Sequence, residues 1–213
     1  MSIRTISEKI GCYLSEKIED PEKAPTLTYG LELIFSEIIK LTILLLVSYF
    51  FGLFTFTVII LSTSIPLRII TGGQHCSSSL RCQFGLLLTF PVLAYVAKII
   101  SYYINPVNLL LLALTSSVLM VLTLEKYGPG YSVNHPNPSQ TLINKTKRYT
   151  YVFLISWLAS VLSLVYFLNV FLTQSVIISS MSLGVLWQTF LLTPLGHQLI
   201  LKVDKCLIYL KIN

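Results

Sequence analysis

Six apolar stretches, each about as long as a bilayer core is thick, constrain this chain more than any other feature. They run Leu33 to Phe51, Leu53 to Ile70, Gln83 to Tyr103, Pro106 to Leu124, Tyr151 to Leu172 and Ser175 to Leu195. A helix needs ~20 predominantly apolar residues to cross the hydrocarbon core. Only 11% of the residues are charged and 54% are hydrophobic, whereas a soluble domain carries about 25% charged residues. A water-soluble fold would have no interior large enough for this apolar surface. The expected class is therefore all-α integral membrane, with about six transmembrane helices.

Both ends add an amphipathic element. Ile3, Ile6, Ile10, Tyr13, Leu14 and Ile18 recur at helical spacing opposite a charged face. Leu199, Val203, Cys206, Leu207 and Leu210 do the same near the other end. The first reads as a helix lying on the membrane surface or packed on the bundle, and the second resembles an interfacial helix. The first 25 residues lack the unbroken apolar core of a cleavable signal. The expected organisation is one membrane domain over 1–213. It comprises an N-terminal helix and linker (1–25), helices 1–2 (33–70), a polar segment (71–82), helices 3–4 (83–124), a basic loop (125–150), helices 5–6 (151–195) and a tail (196–213).

Charge predicts the orientation. Arg4, Lys9, Lys17 and Lys23 precede the first span, and Arg68 and Arg81 flank the polar segment. Lys126, Lys145, Lys147 and Arg148 lie between spans four and five, and Lys202, Lys205 and Lys211 follow the last. The tight turns near Gly52, Ile104-Asn105 and Thr173-Gln174 hold no Lys or Arg. Positive loops stay in the cytoplasm, so both termini and the polar segment are expected there, at the plasma membrane of the cell. Thiols stay reduced on that side. Lys98 lies toward the outer end of its helix and can snorkel to the interface. Glu37 and Lys40, one turn apart in the first span, read best as an i,i+3 pair near the helix end.

The polar segment carries the chemistry. It reads Arg68-Ile-Ile-Thr-Gly-Gly-Gln-His75-Cys-Ser-Ser-Ser-Leu-Arg-Cys82. A cysteine with a histidine as base is the smallest set that makes an activated sulfur nucleophile. On one straight helix these two residues would sit ~10.5 Å apart along the axis. A catalytic pair thus requires a broken helix. Gly72-Gly73 permits the break, and Ser77, Ser78 and Ser79 are natural caps for the next helix. Cys82 would then fall in a first helical turn, where the positive helix end favours a thiolate. Arg68 and Arg81 would add positive potential, and first-turn N–H groups could hold an oxyanion. Gln74 or Ser79 could assist as donors. Cys76 is a rival nucleophile, but it directly follows His75 and adjacent side chains diverge in most backbones.

Other chemistries fit less well. His75, Cys76 and Cys82 could supply three metal ligands, yet two adjacent ligands on one backbone do not suit a tetrahedral site. No metal, cofactor or nucleic-acid partner is expected. The stretch Tyr127-Gly-Pro-Gly-Tyr-Ser-Val-Asn-His-Pro-Asn-Pro-Ser139 is dense in turn formers and not helical. The basic run Lys145, Lys147, Arg148 behind it anchors the chain at the lipid surface, or else docks an acidic peptide.

At this point the chain resembles the accessory gene regulator B (AgrB) family of bacterial membrane peptidases. The resemblance rests on size, basic loops, six apolar segments, and Arg68, Gly73, His75 and Cys82 in family order and spacing. The Gly128-Pro129 to Pro138 loop is also similar, although Tyr131-Ser132-Val133 stands where the family commonly has an acidic residue. The resemblance implies a partner: a short amphipathic precursor peptide of the AgrD kind, bound at the inner membrane surface. It implies that Cys82 attacks a precursor carbonyl, His75 acts as base and then acid, and the C-terminal tail departs. An internal cysteine of the precursor then closes a thiolactone, or a serine a lactone. Relatives also suggest a homodimer, although no small-xxx-small motif stands out in the spans. Three competing readings share this topology: a small transporter, a membrane scaffold in which the pair is incidental, and an acyltransferase using the same cysteine.

Overall fold

The computed structural model describes residues 3–73, 77–130, 139–167 and 171–210. Nine-tenths of it is helical and the described residues hold no strand. The described residues form eight α-helices in order: α1 (Ile3–Lys17), α2 (Ala24–Phe50), α3 (Phe54–Thr71), α4 (Ser79–Tyr103), α5 (Pro106–Tyr127), α6 (Gln140–Phe167), α7 (Phe171–Leu192) and α8 (Pro194–Tyr209). Six of them, α2 to α7, are long and apolar enough to cross a bilayer. This is a multi-pass helical membrane protein with a short amphipathic helix at each end.

The chain forms two compact units, 1–47 and 48–213. In the first, α1 turns its small residues inward. Ser7, Gly11 and Ser15 are buried, and a Cβ on Gly11 would lie 2.3 Å from the Thr28 hydroxyl of α2. Ile3, Ile6, Tyr13, Leu14 and Ile18 stay exposed. An apolar row left outside by intramolecular packing is what an interfacial helix presents to lipid. Lys40 Nζ and Glu37 Oε1 meet at 2.6 Å on α2, forming the i,i+3 pair.

The second unit is built around α7, which packs against α3, α4, α5, α6 and α8. Leu67, Leu109, Met120, Leu124, Trp157, Ile178 and Val185 form its core. The central helix is nevertheless polar for a span: Ser175, Ser179, Ser180, Ser182, Gln188 and Thr189 are all buried. Lipid tails are as apolar as Leu, so helices associate in a membrane through close packing and internal hydrogen bonds. A Cβ on Gly184 would lie 2.9 Å from the Ile60 carbonyl and 3.0 Å from Thr63. Gly184 thus lets α3 and α7 approach closely within one chain. Leu88, Val92 and Tyr95 on α4, like Val118 and Leu122 on α5, face outward.

Three boundaries differ from the sequence reading. The Thr173-Gln174 turn belongs instead to the first turn of α7. Gln174 Nε2 donates to the carbonyls of Leu164 (3.3 Å) and Val165 (3.5 Å), two of the final carbonyls of α6 that have no partner within the helix. A polar residue that looks like part of a turn is here a cap for its neighbour. Lys145, Lys147 and Arg148 lie on α6 rather than in a loop, because a helix can continue into water after its apolar period ends. Likewise α2 begins at Ala24, absorbing Pro25 in its first turn, where proline is tolerated.

Candidate active site

The polar segment begins where α3 unwinds. Gly72 has φ 72°, and its N–H donates to the Arg68 carbonyl at 2.8 Å. Gly73 has φ 156°. This left-handed backbone is unfavourable for any residue with a Cβ. Space demands glycine as well: a Cβ on Gly72 would lie 2.1 Å from the Gly130 carbonyl oxygen.

Gly130 comes from the α5–α6 connection and pairs with Gly72 as an isolated parallel bridge. Its N–H donates to the Thr71 carbonyl at 2.8 Å. From the opposite direction Gln188 of α7, 1% exposed, donates from Nε2 to Thr71 Oγ1 (2.9 Å) and to the Gly72 carbonyl (2.9 Å). Arg68 lies alongside: a Cβ on Gly73 would sit 3.9 Å from the guanidinium carbon. The structure therefore brings the expected pair Arg68 and Gly73 together and adds Gln188 and Gly130, which the sequence reading passed over.

Gln74, His75 and Cys76, together with the side chain of Ser79, lie outside the described residues. The chain resumes at Ser77, and α4 starts at Ser79. Ser78 occupies the cap position in extended conformation, but its hydroxyl takes no first-turn N–H. Cys82 stands in the first turn, as its position predicts, with its N–H bonded to the Ser78 carbonyl at 3.1 Å. Its thiol is free and half-buried.

A second support comes from α8. Asp204 Oδ2 accepts from the Ser77 hydroxyl (2.6 Å) and the Ser77 N–H (3.3 Å), and Oδ1 accepts from Arg81 Nε (2.9 Å). Arg81 Nη2 also donates to the Ser77 hydroxyl at 2.8 Å. Both charged side chains are nearly buried, at 12% and 10% exposure. Burial alone would raise the Asp204 carboxyl, but the Ser77 bonds and the Arg81 guanidinium outweigh it and hold it below its ordinary value. Arg81 is thus matched by a carboxylate.

The basic run is divided. Lys147 pairs with Glu125 Oε2 at 2.6 Å, and the Tyr151 hydroxyl donates to the same carboxylate. Lys145 and Arg148, with Asn144, Tyr149 and Val152, line an open cavity of about 660 Å³. Two of the three expected docking residues therefore share one surface, and the third ties α6 to α5.

Six spans and a free thiol opening an internal helix define a multi-pass membrane protein with a thiol site beside a glycine-broken segment. The profile of the accessory gene regulator B family matches residues 4–192, and the chain belongs to that family. An AgrB-like protein of Clostridium acetobutylicum is 38% identical over 122 residues, covering 57% of this chain and 56% of that relative. The matched stretch is thus little more than half that relative's length. An AgrB-like protein of Clostridium perfringens is 25% identical over 207 residues, with 94% of each chain covered. No solved structure matches. Family membership ties the chain to accessory gene regulator quorum sensing.

Proposed function

We propose that this protein is a membrane cysteine endopeptidase that removes the C-terminal tail of a short AgrD-like precursor peptide and promotes ring closure. The observation that carries the reading is the place of Cys82: a free, half-buried thiol in the first turn of α4, seven residues after His75, within the family match.

In this reading His75 takes the Cys82 proton and the sulfur attacks the precursor carbonyl carbon. First-turn N–H groups of α4, whose cap hydroxyl leaves them free of side-chain capping, stabilise the oxyanion. Gln74 and Ser79 are further candidates for that role, and Arg68 supports the segment from α3. The C–N bond then breaks, and His75 returns its proton to the leaving amine of the tail. The acyl group remains on Cys82 as a thioester. An internal thiol of the precursor displaces Cys82 and yields a thiolactone; a hydroxyl there would yield a lactone. Thioester exchange is nearly balanced in bond energy, whereas hydrolysis runs downhill, so a site that limits water protects the intermediate. Holding the attacking thiol close raises its effective concentration.

Both termini and the site face the cytoplasm in this reading, in the plasma membrane, with the precursor and lipid as partners and a homodimer as the assembly. In this reading Lys145 and Arg148 meet an acidic precursor tail. Co-expression with the candidate precursor, followed by mass spectrometry, tests the reading. Tail loss is expected with the wild type and not with Cys82→Ala or His75→Ala. Equal tail loss in all three would end it.

A further inference from the structure

We infer that Asp204 on α8 is a positioning residue for the thiol segment: it fixes Ser77 and Arg81, and through them the first turn of α4 that carries Cys82. The inference rests on the proposed function for its catalytic consequence, but not for its geometry.

The Asp204 carboxylate has both oxygens engaged. Oδ2 holds the backbone N–H and the hydroxyl of Ser77, and Oδ1 holds Arg81 Nε. Ser77 follows His75 by two residues and Arg81 precedes Cys82 by one. One side chain therefore grips the chain on both sides of the α4 start, between the candidate base and the candidate nucleophile. The grip is not local, since Asp204 is 127 residues from Ser77 and 123 from Arg81. It has the strong form of a charge-assisted contact and is nearly buried. Loss of one partner would strand a desolvated charge on the other. The helix that supplies it begins at Pro194, beyond the family match, which ends at Leu192. Its role is thus separate from the Gly72-Gly73 support, which comes wholly from matched residues.

A base or nucleophile displaced by about an ångström can cost on the order of 10²-fold in rate. In the full chain, reconstituted in vesicles with the precursor, Asp204→Asn is expected to lower kcat for tail loss roughly 10²-fold, with KM little changed. Asp204→Glu should recover part of the loss. Arg81→Gln should act in the same direction, and adding Asp204→Asn to it should lower the rate little further. A second readout needs no peptidase activity: alkylation of Cys82 by iodoacetamide, quantified by peptide mapping against Cys12 and Cys206. Both reference thiols are exposed. Opening the clamp loosens the first turn that carries Cys82 and exposes its sulfur, so Cys82 should react severalfold faster while the two references hold.

An unchanged Cys82 ratio in both Asp204→Asn and Arg81→Gln would overturn the proposal. So would equal acceleration at all three cysteines, which signals general loosening, or a change in KM alone. If Cys82→Ala still cleaved the precursor, the proposed function would fall, and the alkylation ratio would still decide the positioning role.

Discussion

The thiol segment is held at two ends by supports of opposite character. Before His75, the Gly72-Gly73 end is held by hydrogen bonds between neutral groups, with the Arg68 guanidinium alongside. It rests on backbone bonds to Gly130 and on the amide of Gln188, a side chain 1% exposed. After His75, the Ser77–Arg81 end is ionic and rests on Asp204, in a site that retains some solvent access. A neutral buried support fails through sterics or an unmade hydrogen bond. An ionic one fails through protonation. A segment anchored both ways can therefore be loosened at one end while the other stays fixed, and the two losses carry different signatures.

The largest effect should come from Gly72→Ala. At φ 72° and ψ −160° the backbone lies in a region essentially reserved for glycine and costs about 1–3 kcal/mol for a residue with a Cβ, and the new atom would lie 2.1 Å from the Gly130 oxygen. Thr71, Gly72 and Gly130 cannot all keep their bonds around it. Tail loss should fall below detection, together with a lower melting temperature in detergent. Wild-type melting and activity would show that the neutral end is not a constraint at all.

Next in size is a pair of variants compared across pH. Gln188→Leu removes the donor to the Gly72 carbonyl and should cost about 1–3 kcal/mol, by the same amount at every pH. Asp204→Asn should cost stability only where Asp204 is ionised in the wild type. Its folded carboxyl is held below the ordinary value. Its contribution is therefore full above the unfolded value, near 4, and is lost as pH falls through the lower folded value. Melting curves of wild type and Asp204→Asn should differ by a constant amount from neutral pH down to about 5, then converge in acid. Parallel curves for Asp204→Asn, or converging ones for Gln188→Leu, would break the contrast between the two ends.

These differences also explain what could be read from the chain before its fold. The six spans were legible because bilayer thickness imposes a length that apolar composition alone satisfies. Cys82 in a first helical turn was legible because two glycines and three serines announce a break and a restart. The support for that break was not. Gln188 sits in an apolar span where a lone amide carries no periodic signal, and its partners are 116 and 117 residues away. Asp204 was hidden in an amphipathic period that made α8 look like a surface helix. A signal did exist: after Glu37 the chain holds only two acids, Glu125 and Asp204. Each is paired with a cation across helices, Lys147 and Arg81 respectively. In a chain so poor in acids and so rich in Lys and Arg, a lone carboxylate late in the sequence merits a search for its cation.

The smallest effect, and the finest test of the ionic end, is Ser77→Ala. It removes the 2.6 Å hydroxyl bond to Asp204 and the acceptor for Arg81 Nη2. It leaves the Ser77 N–H and Arg81 Nε on the carboxylate. The loss should be about 1 kcal/mol, with a modest fall in tail loss. The informative quantity is the acid midpoint at which the clamp opens. Burial pushes the Asp204 carboxyl up, and the Ser77 hydroxyl is the foremost of the contacts that push it down. Without that hydroxyl the folded value should rise toward the ordinary one while Arg81 keeps some of the depression. The convergence of wild-type and Asp204→Asn melting curves, repeated on the Ser77→Ala background, should therefore move to higher pH. An unmoved midpoint would assign the ionic end to Arg81 alone and leave the turn after His75 held only by its own backbone.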